Sequence, residues 1–144
     1  VAGMNCDKED VIERTQLLAS QLSPFEFELD KLSYQDKYFQ CVYAELERSP
    51  EVMEANQIAR ECFPDRRKDR DYMPHVSLVY GDISESEKVD SIIPFVSKHV
   101  EARKPDLSTI AVDSIQVWCT EGDVSEWHEV ATIPLSGPNT HDKQ

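Results

Sequence analysis

Phe25-Glu26-Phe27-Glu28-Leu29-Asp30, a polar turn at Tyr34-Gln35-Asp36-Lys37, and then Tyr38-Phe39-Gln40-Cys41-Val42-Tyr43-Ala44-Glu45-Leu46 set two β-prone stretches side by side with no helix between them. In the first, apolar residues alternate with acids, which is the two-residue period of a half-buried strand. In the second, Phe39, Cys41, Val42 and Tyr43 crowd both faces. Strands joined by so short a turn pair antiparallel, because a parallel return needs a crossover of a dozen residues or more.

Upstream, Asp7 precedes Val11, Thr15, Leu18 and Leu22, one apolar face of a helix from about Lys8 to Gln21 that Pro24 ends. Downstream, Ser49-Pro50 is a helix start, since serine can cap free amides and proline's fixed φ suits the first turn. That helix runs to about Cys62, Pro64 closes it, and Asp65 to Asp71 form a charged loop. Tyr72 to Tyr80 read as a strand ended by Gly81-Asp82. Ser84 and Glu87 make a capping-box pattern for a helix to about His99, which Pro94 should kink or split. Leu107 to Cys119 is strand-like with a break near Asp113-Ser114, and Trp127 to Leu135 is a final strand. Ser136 to Gln144 is a polar tail with little to bury. The order is helix, two strands, helix, strand, helix, two strands. It lacks the strict alternation of a doubly wound sheet and predicts an α+β fold with antiparallel pairing.

The chain has 144 residues, enough for one core. With 40% hydrophobic and 30% charged residues it fits a soluble globular class rather than a low-complexity one. Fifteen basic residues against 28 acidic ones give a net charge of −13, which repels long polyanions and anionic membranes. Neither DNA nor a membrane is expected as a partner, and no apolar run approaches the ~20 residues that span a bilayer. Cys6, Cys41, Cys62 and Cys119 form no C-x-x-C pair and no cysteine–histidine cluster of zinc spacing, so no metal is expected. Free thiols and the lack of a glycosylation acceptor predict a cytoplasmic location. Four glycines arranged in no phosphate-binding loop argue against nucleotide binding of that kind.

Chemistry can sit at His75 and Ser77. Two apart on a strand, their side chains leave the same face and can meet one phosphate: an imidazole that moves a proton near neutral pH and a hydroxyl that donates to a phosphate oxygen. His99, at a helix end, His128 in a strand and His141 in the tail have no motif partner and read as structural. Trp118 and Trp127 read as core or rim, and Cys119 with His128 matches no common zinc spacing.

Three ordered blocks surround His75: Tyr38-Phe39-Gln40-Cys41-Val42-Tyr43, Ser49-Pro50-Glu51-Val52-Met53-Glu54-Ala55 and Tyr72-Met73-Pro74-His75-Val76-Ser77-Leu78-Val79-Tyr80. Together with Trp127-His128-Glu129-Val130-Ala131 they resemble the plant-type cyclic phosphodiesterases of the two-histidine phosphoesterase superfamily, from the first residue to about Leu135. The resemblance implies one two-lobed domain over residues 1–135, each lobe an antiparallel sheet with outer helices, and each sending one H-x-T/S motif into a shared cleft. His75 and Ser77 then correspond to the second motif, and Tyr80 to a tyrosine near the phosphate. Strict alternation from His75 would turn Tyr80 to the opposite face, so its part needs an irregular strand. The first motif, P-H-x-T-V, would stand just before Val1-Ala2-Gly3, and the resemblance implies an N-terminally truncated chain. The implied activity is metal- and cofactor-free hydrolysis of a small-molecule ribose cyclic phosphate, such as ADP-ribose 1″,2″-cyclic phosphate or a nucleoside 2′,3′-cyclic phosphate, by a protein that is monomeric when complete. The alternative is a binding module that holds a phosphorylated nucleotide or RNA end without turnover, through Ser77, Tyr80 and Arg66, Arg67, Lys68 or Arg70.

Overall fold

The computed structural model describes residues 8–66, 71–103 and 109–138. Their order is α1 (Lys8–Ala19), β1 (Phe25–Tyr34), β2 (Val42–Leu46), α2 (Pro50–Cys62), β3 (His75–Val79), α3 (Glu85–Glu87), α4 (Ile93–Ala102), β4 (Thr109–Val112), β5 (Ser114–Cys119) and β6 (His128–Pro134). Short 3-10 turns lie at Tyr38–Gln40, Pro64–Arg66 and Val124–Glu126. Helices and antiparallel strands are mixed without α/β alternation, which makes the fold α+β. The chain divides into two compact units. One holds α1, the segment 54–69 and residues from Ala111 onward; the other holds Glu26–Met53 and Arg70–Ile110.

In the first unit, Leu18, Ala19, Leu22 and Leu135 form the buried core, with Phe25, Ile58, Phe63, Ile115 and Ile133 packed against it. The α1 face expected from the spacing is the one buried. Thr15 joins it because its hydroxyl donates to the Val11 carbonyl at 2.7 Å and so enters the core satisfied. Asp113 separates β4 from β5, as the expected break requires, and β5 pairs antiparallel with β6. Beyond β6 residues 136 and 137 of the polar tail add backbone contacts to the first unit. Ser136 N–H donates to the Ala19 carbonyl and Gly137 N–H to the Leu22 carbonyl, both at 2.9 Å, so the start of the tail supplies partners to the end of α1.

The four-stranded sheet has the order β3-β2-β1-β4, with β2, β3, all of β1 but Phe25 and the start of β4 in the second unit. β2 is its buried centre: Cys41 and Val42 have no exposed surface, and Tyr43 and Ala44 are 2% exposed. Both neighbours of β2 are irregular. Leu29 pairs with Leu46 and Leu32 with Ala44, which leaves an extra residue on β1 and puts Asp30 and Lys31 consecutively on the exposed side. On the other edge Val42 pairs with Val79 but Tyr43 with Ser77, so Leu78 is the extra residue of β3.

Several boundaries move for local reasons. The second strand begins at Val42 rather than Tyr38, because Tyr38–Gln40 wind into a 3-10 turn closed by Gln40 N–H to the Lys37 carbonyl and Gln35 N–H to the Gln40 carbonyl, both 3.1 Å. β3 begins at His75 rather than Tyr72, after Pro74, which has no N–H to give a ladder. Ser49 and Ser84 cap as expected, each accepting the amide three residues on at 3.3 Å. Around Pro94 the helix is not split but changes its hydrogen bonding, staying helical from Glu85 to Ala102. Lys88–Ile92 form a π turn in which Ile93 N–H reaches back five residues to the Lys88 carbonyl, and this widened turn leads directly into α4, where Pro94, lacking an N–H, sits in the first turn. Lys88, 2% exposed, sends its ammonium to the Gln35 carbonyl at 3.0 Å and the Asp36 carboxylate at 3.7 Å.

A Cβ on Gly137 would stand 2.6 Å from both the backbone N and C of Leu22. Gly137→Ala is therefore expected to destabilise the chain by about 1–3 kcal/mol, the usual cost of overpacking against backbone that cannot yield. A lowered midpoint of denaturant unfolding checks it, and an unchanged midpoint would show the 137 segment undocked in solution.

Candidate active site

His75 opens β3 directly after Met73-Pro74, and this local bend brings the imidazole back on its own chain: Nδ1 lies 2.9 Å from the Met73 carbonyl. A carbonyl only accepts, so Nδ1 carries the proton, and in the neutral ring Nε2 carries the lone pair. Nε2 faces the side-chain amide of Gln40, 3.5 Å from its Nε2, at the long limit of an N–H···N bond. The edge of the ring meets Tyr43, centroids 5.4 Å apart at 68°. Tyr43 is itself held by Gln35, whose Nε2 donates to the phenol oxygen at 3.2 Å. Across the ladder His75 is paired with Glu45, whose carboxylate is bridged by Lys31 at 3.5 Å.

Ser77 leaves the same face as His75, and its hydroxyl donates to the Phe39 carbonyl at 3.3 Å. The bulge at Leu78 then changes the parity of the residues after it. With one extra residue inserted, Tyr80 falls on the side of His75 and Ser77 instead of the opposite one, which is the irregularity its expected part requires. Tyr80 lies just past β3, with its ring edge-on to Phe39 at 5.7 Å, and Phe39 in turn meets Tyr38 at 5.0 Å. Phe39 thus touches Ser77 through its carbonyl and Tyr80 through its ring. Tyr38, Phe39 and Tyr80 are each about two-fifths exposed, so this aromatic lip is open to solvent.

Of the other candidates, Arg66 ends the 3-10 turn Pro64–Arg66, while Arg67, Lys68, Arg70 and His141 lie outside the described residues. His99 gives its Nδ1 proton to the Phe95 carbonyl at 2.7 Å and stacks on the Phe95 ring, and the His128 Nδ1 proton goes to the Glu126 carbonyl at 3.1 Å. Both serve local structure. Trp118 is half exposed, a rim position, with its indole N–H donated to Gln116 at 3.1 Å. Cys119 and His128 face each other across β5 and β6, yet among the described residues no three His, Cys, Asp or Glu side chains gather as a metal site. No helix of the described residues is long and apolar enough to cross a membrane.

The H-x-S spacing points to His75 and Ser77 but not to Gln40, Tyr43 or the Met73 carbonyl. A signal for Gln40 is present: it is the one polar residue in the otherwise apolar or aromatic run Tyr38 to Ala44. Nothing in the sequence marks a backbone carbonyl as the partner of an imidazole.

Known proteins are similar to this chain, one in sequence over part of its length and another in fold. The curated cyclic phosphodiesterase of Arabidopsis thaliana is 40% identical over 60 residues, 42% of this chain and 33% of the relative, so the matched part spans about a third of that protein's length. The crystal structure of TT0787 from Thermus thermophilus superposes with a TM-score of 0.50 at 15% identity, covering 95% of this chain and 75% of that one, a likeness of fold. A family model described as cyclic phosphodiesterase-like protein matches residues 3–135, and on this match over most of its length the chain belongs to the cyclic phosphodiesterase-like family.

Proposed function

We propose that this protein hydrolyses cyclic phosphodiesters formed on a ribose, with His75 as a proton-transfer group and Ser77 and Tyr80 as donors to the phosphate. The observation that carries the reading is the shared face of β3. An imidazole with its lone pair on Nε2, a hydroxyl two residues on and a phenol returned to that side by the bulge all stand together in a chain of this family. A water oxygen attacks phosphorus, the bond from phosphorus to one ribose oxygen breaks, and a phosphomonoester and a free ribose hydroxyl result. One proton leaves the water and one reaches the departing oxygen. The Nδ1-protonated form of His75 suits the first of these tasks, since Nε2 can take the water proton while Nδ1 stays on the Met73 carbonyl. Ser77 has only to turn its hydroxyl from the Phe39 carbonyl to a non-bridging oxygen.

The second proton transfer needs a group on the other side of phosphorus. No other histidine of the chain stands two residues before a serine or threonine: His99 precedes Val-Glu, His128 Glu-Val and His141 Asp-Lys. In this reading a second H-x-T histidine from outside residues 1–144 supplies it. ADP-ribose 1″,2″-cyclic phosphate and nucleoside 2′,3′-cyclic phosphates are the substrates to try first. The single H-x-S motif also favours a second reading, a module that binds a phosphorylated nucleotide or RNA end without turnover. Calorimetric titration with a nucleoside 2′-phosphate, beside an assay of residues 1–144 and of a form extended by P-H-x-T, separates the two. Hydrolysis by the extended form supports the enzyme, and tight binding with no hydrolysis by either form supports the module.

In the hydrolytic form His75→Ala is expected to lower kcat by about 10²-fold or more, as for loss of one general acid or base, with the circular dichroism unchanged. Retained turnover would make His75 a structural residue. Ser77→Ala should cost about 1.5–3 kcal/mol of transition-state stabilisation, roughly 10- to 100-fold in kcat/KM, by loss of one hydrogen bond to a charged group. Ser77→Thr should keep most of the rate, and mass spectrometry during turnover should find no phosphoserine; a phosphorylated Ser77 would make it a nucleophile instead. Chelation with EDTA should leave turnover unchanged, because proton transfer and hydrogen bonding carry the reaction in this reading. Loss of activity restored by a divalent cation would overturn that account.

A further inference from the structure

The two contacts of the His75 ring have fixed polarity, and both are fixed by groups that cannot exchange donor for acceptor. At one end the Met73 carbonyl can only accept, so Nδ1 is the protonated nitrogen. At the other end stands Gln40, an amide that could present either its oxygen or its nitrogen. The unprotonated Nε2 decides between them, since it can only accept and so takes the amide N–H, while the Lys37 ammonium lies 3.4 Å from Gln40 Oε1. The backbone holds the amide at that place. Gln40 closes the 3-10 turn through Lys37 on one side and Gln35 on the other, and the carbonyl of Gln35 is taken by the buried Lys88 ammonium at 3.0 Å. The side chain of Gln35 reaches Tyr43, whose ring meets the imidazole edge to face.

We infer that Gln40 is a positioning residue for His75: with the Met73 carbonyl setting the proton on Nδ1, the Gln40 amide holds the Nε2 edge of the ring in the protein without substrate and gives up the lone pair when the attacking water takes its place. The inference deepens the proposed hydrolysis and rests on it only for the consequence in turnover; the tautomer is a property of the protein without substrate. An imidazole with a partner at each nitrogen keeps one orientation until substrate arrives, so that Nε2 is already placed when the water displaces the amide. A glutamate at position 40 would reverse the requirement, since a carboxylate only accepts and calls for a proton on Nε2. A methionine would keep the length and remove the donor.

The experiment is long-range 1H–15N correlation of the 144-residue chain labelled with 15N-histidine, at about pH 8, above the ordinary histidine range near 6.5. The His75 signals are assigned by their loss in His75→Gln. The wild-type chain should show a pyrrole-type Nδ1 and a pyridine-type Nε2. In Gln40→Met the Nε2 signal should move downfield as the lone pair loses its donor, and in Gln40→Glu it should become pyrrole-type. Circular dichroism confirms that each variant is folded, and either variant alone suffices. In the hydrolytic form Gln40→Met should lower kcat by about tenfold with little change in KM, an effect of order 1.4 kcal/mol. Signals that move as expected in a protein that hydrolyses no cyclic phosphate leave the positioning intact and overturn the function. A wild-type Nε2 that carries the proton, or an Nε2 signal unchanged in both variants, overturns the positioning itself.

Discussion

β2 is paired on both edges and buried along most of its length, so it has no freedom to bend, and the irregularities of its sheet are taken up by the strands beside it. Cys41, Val42, Tyr43 and Ala44 together expose almost nothing. Any shift of one residue along such a strand would turn its buried side chains to the wrong face. The extra residue on β1 and the extra residue on β3 therefore lie opposite a strand that stays regular. β1 uses its bulge to bring Lys31 towards Glu45, whereas β3 uses its own to change which side chains share the face of His75.

That division of labour sets the chemistry. The candidate site is mostly a property of backbone: a proline that starts β3 late, a carbonyl that fixes the proton of an imidazole, a 3-10 turn that ends at a glutamine, and a bulge that returns a tyrosine. The ionisable groups are few, and the polar contacts of His75 run to uncharged partners. The orientation of His75 thus depends on uncharged partners and backbone geometry, and the buried Lys88 contributes from behind by holding the turn that carries Gln40.

The pattern of apolar residues makes most of the fold legible. The α1 face, the serine caps at 49 and 84, the break at Asp113 and the changed hydrogen bonding around Pro94 all follow from local rules that tertiary packing does not override. The start of β2 is hidden because Tyr38 and Phe39 have strand propensity. Their place is decided instead by backbone bonds of the 35–41 turn, which no propensity encodes. The docking of Ser136 and Gly137 is hidden for a related reason: polar and small residues bind there through their amides, and amides are the same in every residue. At the site, His75 and Ser77 stand out by their spacing together with the ordered blocks around them, since an H-x-S triplet alone recurs by chance. Tyr80 cannot be placed from spacing, because the parity of a strand after a bulge depends on its partner's register, and the register is a tertiary fact.

The insertion at Leu78 also bears on how the molecule behaves among copies of itself. Among the described residues β3 is an outer strand of its sheet, five residues long, and an outer strand offers unpaired amides and carbonyls to any neighbouring chain. A flat, regular strand of His-Val-Ser-Leu-Val would be a ready template for such pairing. The extra residue interrupts the hydrogen-bond rhythm and increases the local twist, so a second strand cannot lie along it in register. The same single residue that brings Tyr80 to the side of His75 and Ser77 makes the edge a poor place for aggregation to begin.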